Sequence, residues 1–191
     1  MRRGWFIIPG VQTGDRTIEE QMTGVTPALA EASGKTVLDL GCAEGLVGRE
    51  FALAAAKSVH GVDSIEDHLA CARKQCRGLP MTFEHANLNE WIPPQLENGT
   101  IQRYDIVLSL GVAHKMMFPE LGVRFSARAC DDLCLIRVSA YEEARDGLIR
   151  SKHFRTNTCS VFEVMPEEGF ELQTILPGPR DETVHYWRRK R

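Results

Sequence analysis

At 191 residues the chain is sized for one domain with a sizeable core, and 43% hydrophobic and 26% charged residues are those of an ordinary globular protein. A formal net charge of -3 supplies no global basic field for nucleic acid or an anionic membrane. No apolar run approaches the ~20 residues of a transmembrane helix, and the apolar run at 5–8 is too short for a signal-peptide core. A cytoplasmic protein is therefore expected, whose six cysteines, Cys42, Cys71, Cys76, Cys130, Cys134 and Cys159, stay reduced. Neither they nor the histidines show metal-site spacing, so no metal is expected.

Residues 1–34 are predicted to be a lead-in, with a short strand and a helix that could cap a pocket, and residues 35–191 to be the main domain. The run VLDLGCAEGLVG then reads as an apolar strand ending at Asp39, a turn carrying Gly41 and Gly45, and a helix with Val47, Phe51 and Ala55 on one face. A second strand, residues 58–63, also ends in an acid. Ser64 is predicted to cap the next helix, whose apolar positions are Ile65, Leu69, Ala72 and Cys76. Gly78 and Pro80 stop it, and a third strand is predicted at 81–86. Residues 91–100, with Pro93-Pro94 and Asn98-Gly99, read as loop.

The run YDIVLSL at 104–110 has the continuous apolar character of a buried parallel strand. A helix around 118–129 and a strand at 133–138 follow. Residues 140–157 form a charged stretch including Tyr141, Arg145, Arg150, His153 and Arg155, a surface segment or a lid suited to an anionic or polar acceptor. A helix is predicted at 158–167. FELQTIL and TVHYWR then form an antiparallel pair across Pro177-Gly178-Pro179. The basic run at 188–191 reads as a solvated tail, and a phosphate contact there is the less favoured alternative.

The turn after Asp39 belongs to a nucleotide-type site, and its spacing discriminates between cofactors. A dinucleotide fingerprint beginning at Gly41 would place glycines where Ala43 and Leu46 stand. Glu44 would also repel a pyrophosphate. Asp39 suits a ligand with positive charge, and S-adenosylmethionine carries a sulfonium and an ammonium.

The run Asp39-Leu40-Gly41-Cys42-Ala43-Glu44-Gly45 resembles motif I of the class I S-adenosylmethionine-dependent methyltransferases, D-x-G-C-G-x-G, with Ala43 for the middle glycine. The resemblance covers residues 35–190. It implies an α/β, three-layer Rossmann-like fold with a mostly parallel seven-stranded sheet and an antiparallel C-terminal hairpin. It also implies that Asp63 receives the ribose hydroxyls, with Ser64 beside it, that Ile65 packs on the adenine, and that Asn87 and Leu88 meet the adenine edge. Asp39, Gly41, Cys42, Ala43 and Gly45 would neighbour the methionine end, completed by Leu110 and Gly111, with Arg16 or Gln12 reaching the cofactor carboxylate.

Methyl transfer is an in-line displacement in which positioning supplies much of the rate. His114, with Lys115 beside it, is the candidate general base. The absence of N-P-P-Y or D-P-P-Y after the fourth strand argues against exocyclic-amine methylation, and the absence of Pro-Cys argues against the covalent cytosine mechanism. Pro-Gly-Gly is missing after Cys42-Ala43, which weakens the resemblance to ribose 2'-O methyltransferases and RNA as acceptor. The function expected is transfer of methyl from S-adenosylmethionine to a small molecule. The alternatives are a noncatalytic S-adenosylmethionine-binding module or partner subunit, an RNA methyltransferase and, more weakly, a nicotinamide enzyme.

Overall fold

The computed structural model describes residues 2–138, 147–153 and 157–191. Tyr141, Arg145 and Arg155 of the charged stretch lie outside the described residues. The apolar runs become the middle of a seven-stranded sheet: β1 is Thr36–Leu40, β2 Ser58–Asp63, β3 Met81–His85, β4 Tyr104–Leu110, β5 Cys130–Val138, β6 Phe170–Pro177 and β7 Thr183–Arg189. Their order across the sheet is β3-β2-β1-β4-β5-β7-β6. Neighbours from β3 to β5 run parallel, whereas β7 is antiparallel to both β5 and β6. This is the Rossmann-like methyltransferase architecture that the resemblance implied.

Helices α1 (Leu46–Leu53), α2 (Glu66–Gln75), α3 (Leu88–Asn98), α4 (Pro119–Ala129) and α5 (Val161–Glu167) cover the sheet. One apolar cluster joins Leu38, Leu40 and Val107 to Ile92 of α3 and Phe125 of α4. The other joins Val37 and Leu108 to Phe51 of α1 and to Phe6, Met22 and Val25 of the lead-in. Successive strand residues face opposite clusters, as the pleat requires. Chain order reverses between β1 and β4, so a crevice opens beyond their carboxyl ends, where open α/β sheets bind ligands.

Several local expectations are corrected. Residues 91–100 are mostly α3 instead of loop: Asn87 caps it through its side chain, which accepts from the Asn89 amide at 3.1 Å, and Gly99 closes it with φ 66°. Fully buried Ile92 anchors the helix, and this burial offsets the two hydrogen bonds that Pro93 and Pro94 forgo. Ser64 is not the cap of α2. Ile65 occupies that position, and its amide donates to Asp63 Oδ1 at 2.9 Å. Helix α1 ends at Leu53, leaving Ala55 exposed beyond it with φ 65°. The expected helix at 158–167 begins as a strand, Thr158–Ser160, which pairs antiparallel with Leu148–Arg150.

The lead-in holds a two-residue strand pair, Arg2–Arg3 with Gln12–Thr13, and a helix at Ile18–Met22. Thr17 and Glu20 close a capping box on that helix. Among the described residues, no helix is long and apolar enough to cross a membrane.

Candidate cofactor and acceptor site

Two adjoining cavities occupy the crevice, one of about 220 Å³ and one of about 310 Å³. Trp5, Leu110 and Gly111 line both. The smaller begins at the turn after β1, where Gly41 has φ +71° and a Cβ would come within 2.7 Å of Val112 Cγ2, so only glycine fits. Ala43 follows in the left-handed region at φ 48°. Its amide donates to Asp63 Oδ2 at 2.9 Å, which holds the turn against the end of β2.

Asp63, Ser64 and half-exposed Ile65 continue the wall, and Asn87, Leu88 and Asn89 face them at the start of α3. Burial alone would raise the Asp63 pKa, but the neighbouring His68 ring and hydrogen bonds from the Ile65 and Ala43 amides outweigh it and hold the carboxyl below its ordinary value. Each Asp63 oxygen takes one backbone donor and keeps further acceptor capacity. The Asn87 amide is committed to its own helix: Oδ1 accepts from the Asn89 amide and Nδ2 donates to Glu90 at 2.9 Å. The Leu88 amide, in the first position of α3, has no partner within the helix.

Other motif residues stand behind this wall. Asp39 is only 4% exposed and faces the Gly48 amide of α1; Oδ2 has no hydrogen-bond partner. Burial raises its pKa to about 7. The Cys42 side chain turns inward over Gly61, whose missing Cβ leaves it room, and burial drives the thiol pKa well up. Gly45 caps α1 at φ 72° against the Phe83 ring. The turn presents its backbone, Gly41 and Ala43, to the cavity, while Asp39, Cys42 and Gly45 build its support.

Glu44 does not face a ligand either. Fully buried, it accepts from the Trp5 amide at 2.9 Å, the Phe6 amide at 3.1 Å and Gln12 Nε2 at 2.7 Å. Gln12 is thereby withdrawn from the cofactor role expected for it. His68 lies between this carboxylate and Asp63, with ring nitrogens 3.7 and 3.8 Å from them. The motif turn thus clamps the lead-in and sets Trp5 at the seam of the two cavities.

The larger cavity contains the other functional candidates. His114 sits in a short turn at Ala113–Lys115, and burial, then Lys152, Lys115 and Arg16, lower its pKa to about 4. Lys115 diverges from it into the smaller cavity, with its ammonium 4.3 Å from the Trp5 ring centroid. Arg16 lines the larger cavity, not the Asp63 wall, and Glu182 clamps its guanidinium at 2.8 and 3.2 Å. Arg137 and Gln21 lie beside it, both buried, and the Arg137 guanidinium donates to the side-chain and backbone oxygens of Gln21.

Sequence reasoning missed Trp5, Arg137, Lys152 and Glu182. The signal for Arg137 was a lone charge in the apolar strand run LCLIRV; the others carry no local mark. In the basic C-terminal run, Arg188 pairs with Glu31 and Asp132, and Arg189 donates to the backbone oxygens of Ala127 and Cys130. Those two arginines are tied to the body of the protein. No cluster of potential metal ligands occurs among the described residues.

A family model described as a methyltransferase domain matches residues 37–129, from β1 through α4. No curated protein sequence matches the chain. The fold is similar to that of an S-adenosylmethionine-dependent methyltransferase from Mesorhizobium loti, at 16% identity and TM-score 0.61 over 85% of this chain and 96% of that one. It is also similar to magnesium protoporphyrin IX methyltransferase from Synechocystis PCC 6803, solved with bound S-adenosylhomocysteine, at 16% identity and TM-score 0.64 over 87% and 80% of the two chains. A TehB-like methyltransferase from Corynebacterium glutamicum matches at 18% identity and TM-score 0.62 over 89% of each chain. The chain's sheet order, reversed β7 and motif turn are those of the class I S-adenosylmethionine-dependent methyltransferase fold, and residues 37–129 match the methyltransferase-domain family. The chain is an enzyme of methyl transfer, and S-adenosylmethionine is its cofactor.

Proposed function

We propose that the protein methylates a small molecule, with the cofactor in the smaller cavity and the acceptor in the larger. The observation that carries this reading is the shared seam of Trp5, Leu110 and Gly111, which lets a group held on one side meet a group held on the other. A cavity of about 310 Å³ is at the low end of small-molecule sites. The body-bound arginines of the C-terminal run also favour it over a nucleic-acid acceptor.

In this reading Asp63 uses its remaining lone pairs for the ribose hydroxyls, with Ser64 beside it. Exposed Ile65 covers a face of the adenine, and the Leu88 amide reads its edge. The backbone of Gly41, Ala43, Leu110 and Gly111 surrounds the methionine end. Asp39, Cys42 and Gly45 act from behind, by shaping the turn, and Arg16 serves the acceptor side. When bound, S-adenosylmethionine supplies a methyl carbon on a sulfonium, so the acceptor bond forms as the carbon–sulfur bond breaks and its electron pair stays on sulfur. His114, neutral at physiological pH, receives the proton that the acceptor loses. Trp5 shields the reacting pair from water.

The test is turnover of radiolabelled S-adenosylmethionine with cell extract separated into small-molecule, RNA and protein fractions. Label in the small-molecule fraction is expected; label confined to RNA or protein overturns the reading. Calorimetry with S-adenosylhomocysteine tests the cofactor cavity independently.

A further inference from the structure

The larger cavity carries an unbalanced charge. Two buried guanidiniums, Arg16 and Arg137, 9% and 2% exposed, share Glu182, the one carboxylate among its described lining residues. Glu182 clamps Arg16 at both oxygens but lies 3.7 Å from Arg137 Nε, an ion-pair distance without a hydrogen bond. Both Nε atoms are buried and have no hydrogen-bond partner. Lys152 and Arg180 add positive charge at the exposed mouth. Burial pulls the Arg137 pKa down to about 10, which still leaves it cationic at neutral pH.

Two buried cations sharing one carboxylate are costly, and an anionic ligand would lower that cost. The cofactor is not that ligand. One carboxylate against one ammonium and one sulfonium makes S-adenosylmethionine a net cation, so loading the neighbouring cavity adds to the excess. Among the described lining residues Glu182 is the one counter-charge, which leaves a place for a negative charge on the acceptor.

We propose that the acceptor is an anionic small molecule whose carboxylate or phosphate docks against Arg137 and Arg16, with Lys152 and Arg180 guiding it in at the mouth. This rests on the reading of the larger cavity as the acceptor site. Either oxyanion suits the site as a counter-charge, and the terminal N–H hydrogens that Glu182 and Gln21 leave uncommitted can donate to its oxygens. The docked anion also offsets the cations that depress His114, raising the basicity of the ring when a proton is to be taken.

The test uses the full chain saturated with S-adenosylhomocysteine, titrated with benzoate, phenyl phosphate and neutral benzamide. Benzoate or phenyl phosphate is expected to bind at least tenfold more tightly than benzamide, and whichever binds better identifies carboxylate or phosphate. Arg137→Gln and Arg16→Gln are expected to abolish that preference while S-adenosylhomocysteine affinity stays within twofold. Lys152→Gln and Arg180→Gln, exposed changes that spare the core, are expected to weaken the anion severalfold and give a second measure if the buried variants fail to fold. Equal binding of benzamide, or no binding of either anion, overturns the proposal, as does loss of S-adenosylhomocysteine affinity in the arginine variants, which would give the guanidiniums to the cofactor. In the labelled-extract assay, methylated products should be retained on an anion exchanger. Neutral labelled products would overturn this inference alone, whereas absence of small-molecule label would overturn the acceptor reading beneath it.

Discussion

Glu44→Gln is expected to loosen the lead-in without changing side-chain size. The carboxylate accepts three hydrogen bonds, two at Oε1 from the Trp5 amide and Gln12 and one at Oε2 from the Phe6 amide. A glutamine oxygen can keep the first two as weaker neutral bonds, but its amide nitrogen then meets the Phe6 N–H donor to donor. About 1 kcal/mol for each weakened bond and about 1–3 kcal/mol for the orphaned donor give a gross loss of roughly 3–5 kcal/mol. Relief from burying a charge offsets part of this, leaving about 2–4 kcal/mol. Hydrogen exchange at Trp5 and Phe6 should therefore accelerate roughly 30- to 1000-fold, at about tenfold per 1.4 kcal/mol. Trp5 lines both cavities, so calorimetry should also show weaker S-adenosylhomocysteine binding. Unchanged protection at both amides, with unchanged affinity, would refute the clamp.

Asp63→Ala should weaken cofactor binding by about 1–3 kcal/mol, the range for hydrogen bonds to a charged group; an unaltered calorimetric affinity would remove Asp63 from the ribose role. Ala43→Gly should leave stability unchanged or raise it by about 1 kcal/mol, because φ 48° penalises alanine and suits glycine. A urea midpoint lowered by this change would contradict that strain. The pH dependence of stability has opposed parts. His114 and His185, both lowered to about 4 by burial first, stay neutral while the unfolded chain protonates, so their contribution is lost as pH falls from about 6.5 toward 4. Asp39, raised to about 7, holds its proton while the unfolded carboxyl ionises, so its contribution is lost as pH rises from about 4 to 7. Asp39→Asn should accordingly match the parent near pH 4 and exceed it by a few kcal/mol at pH 8, at about 1.4 kcal/mol for each pH unit that separates the folded from the unfolded carboxyl. A stability gap independent of pH in urea titrations would sink the assignment.

What was legible in the sequence had a local cause. Continuous apolar runs marked β1 and β4, and the YDIVLSL run matches β4 residue for residue. The 118–129 helix was readable from the alternation of strands and helices, and the final hairpin from its turn residues. Helix α3 was not, because Pro93 and Pro94 outweigh every local signal except Asn87 and Gly99 at its ends; the deciding factor, burial of Ile92 under the sheet, is tertiary. The backbone turn at Gly41 was readable from glycine spacing, whereas the direction of each side chain in the motif was not. Asp39, Cys42 and Glu44 all look ligand-facing in a linear motif, yet their side chains point respectively toward α1, over Gly61 and under the lead-in.

The division of labour within that motif follows from its pleat and turn. At the end of β1, Asp39 lies opposite Gly61 of β2 and Leu108 of β4, so its side chain is fixed on the α1 side of the sheet. The chain must then reverse at Gly41 to enter α1, and the residues of the turn present backbone to the crevice while their side chains are pressed outward. An acid in such a turn needs donors behind it. Here the donors come from residues 5, 6 and 12, so the turn that shapes the cofactor cavity also holds Trp5 over both cavities. If the two cavities take cofactor and acceptor as proposed, recognition of one and access of the other both depend on one buried carboxylate that touches neither ligand.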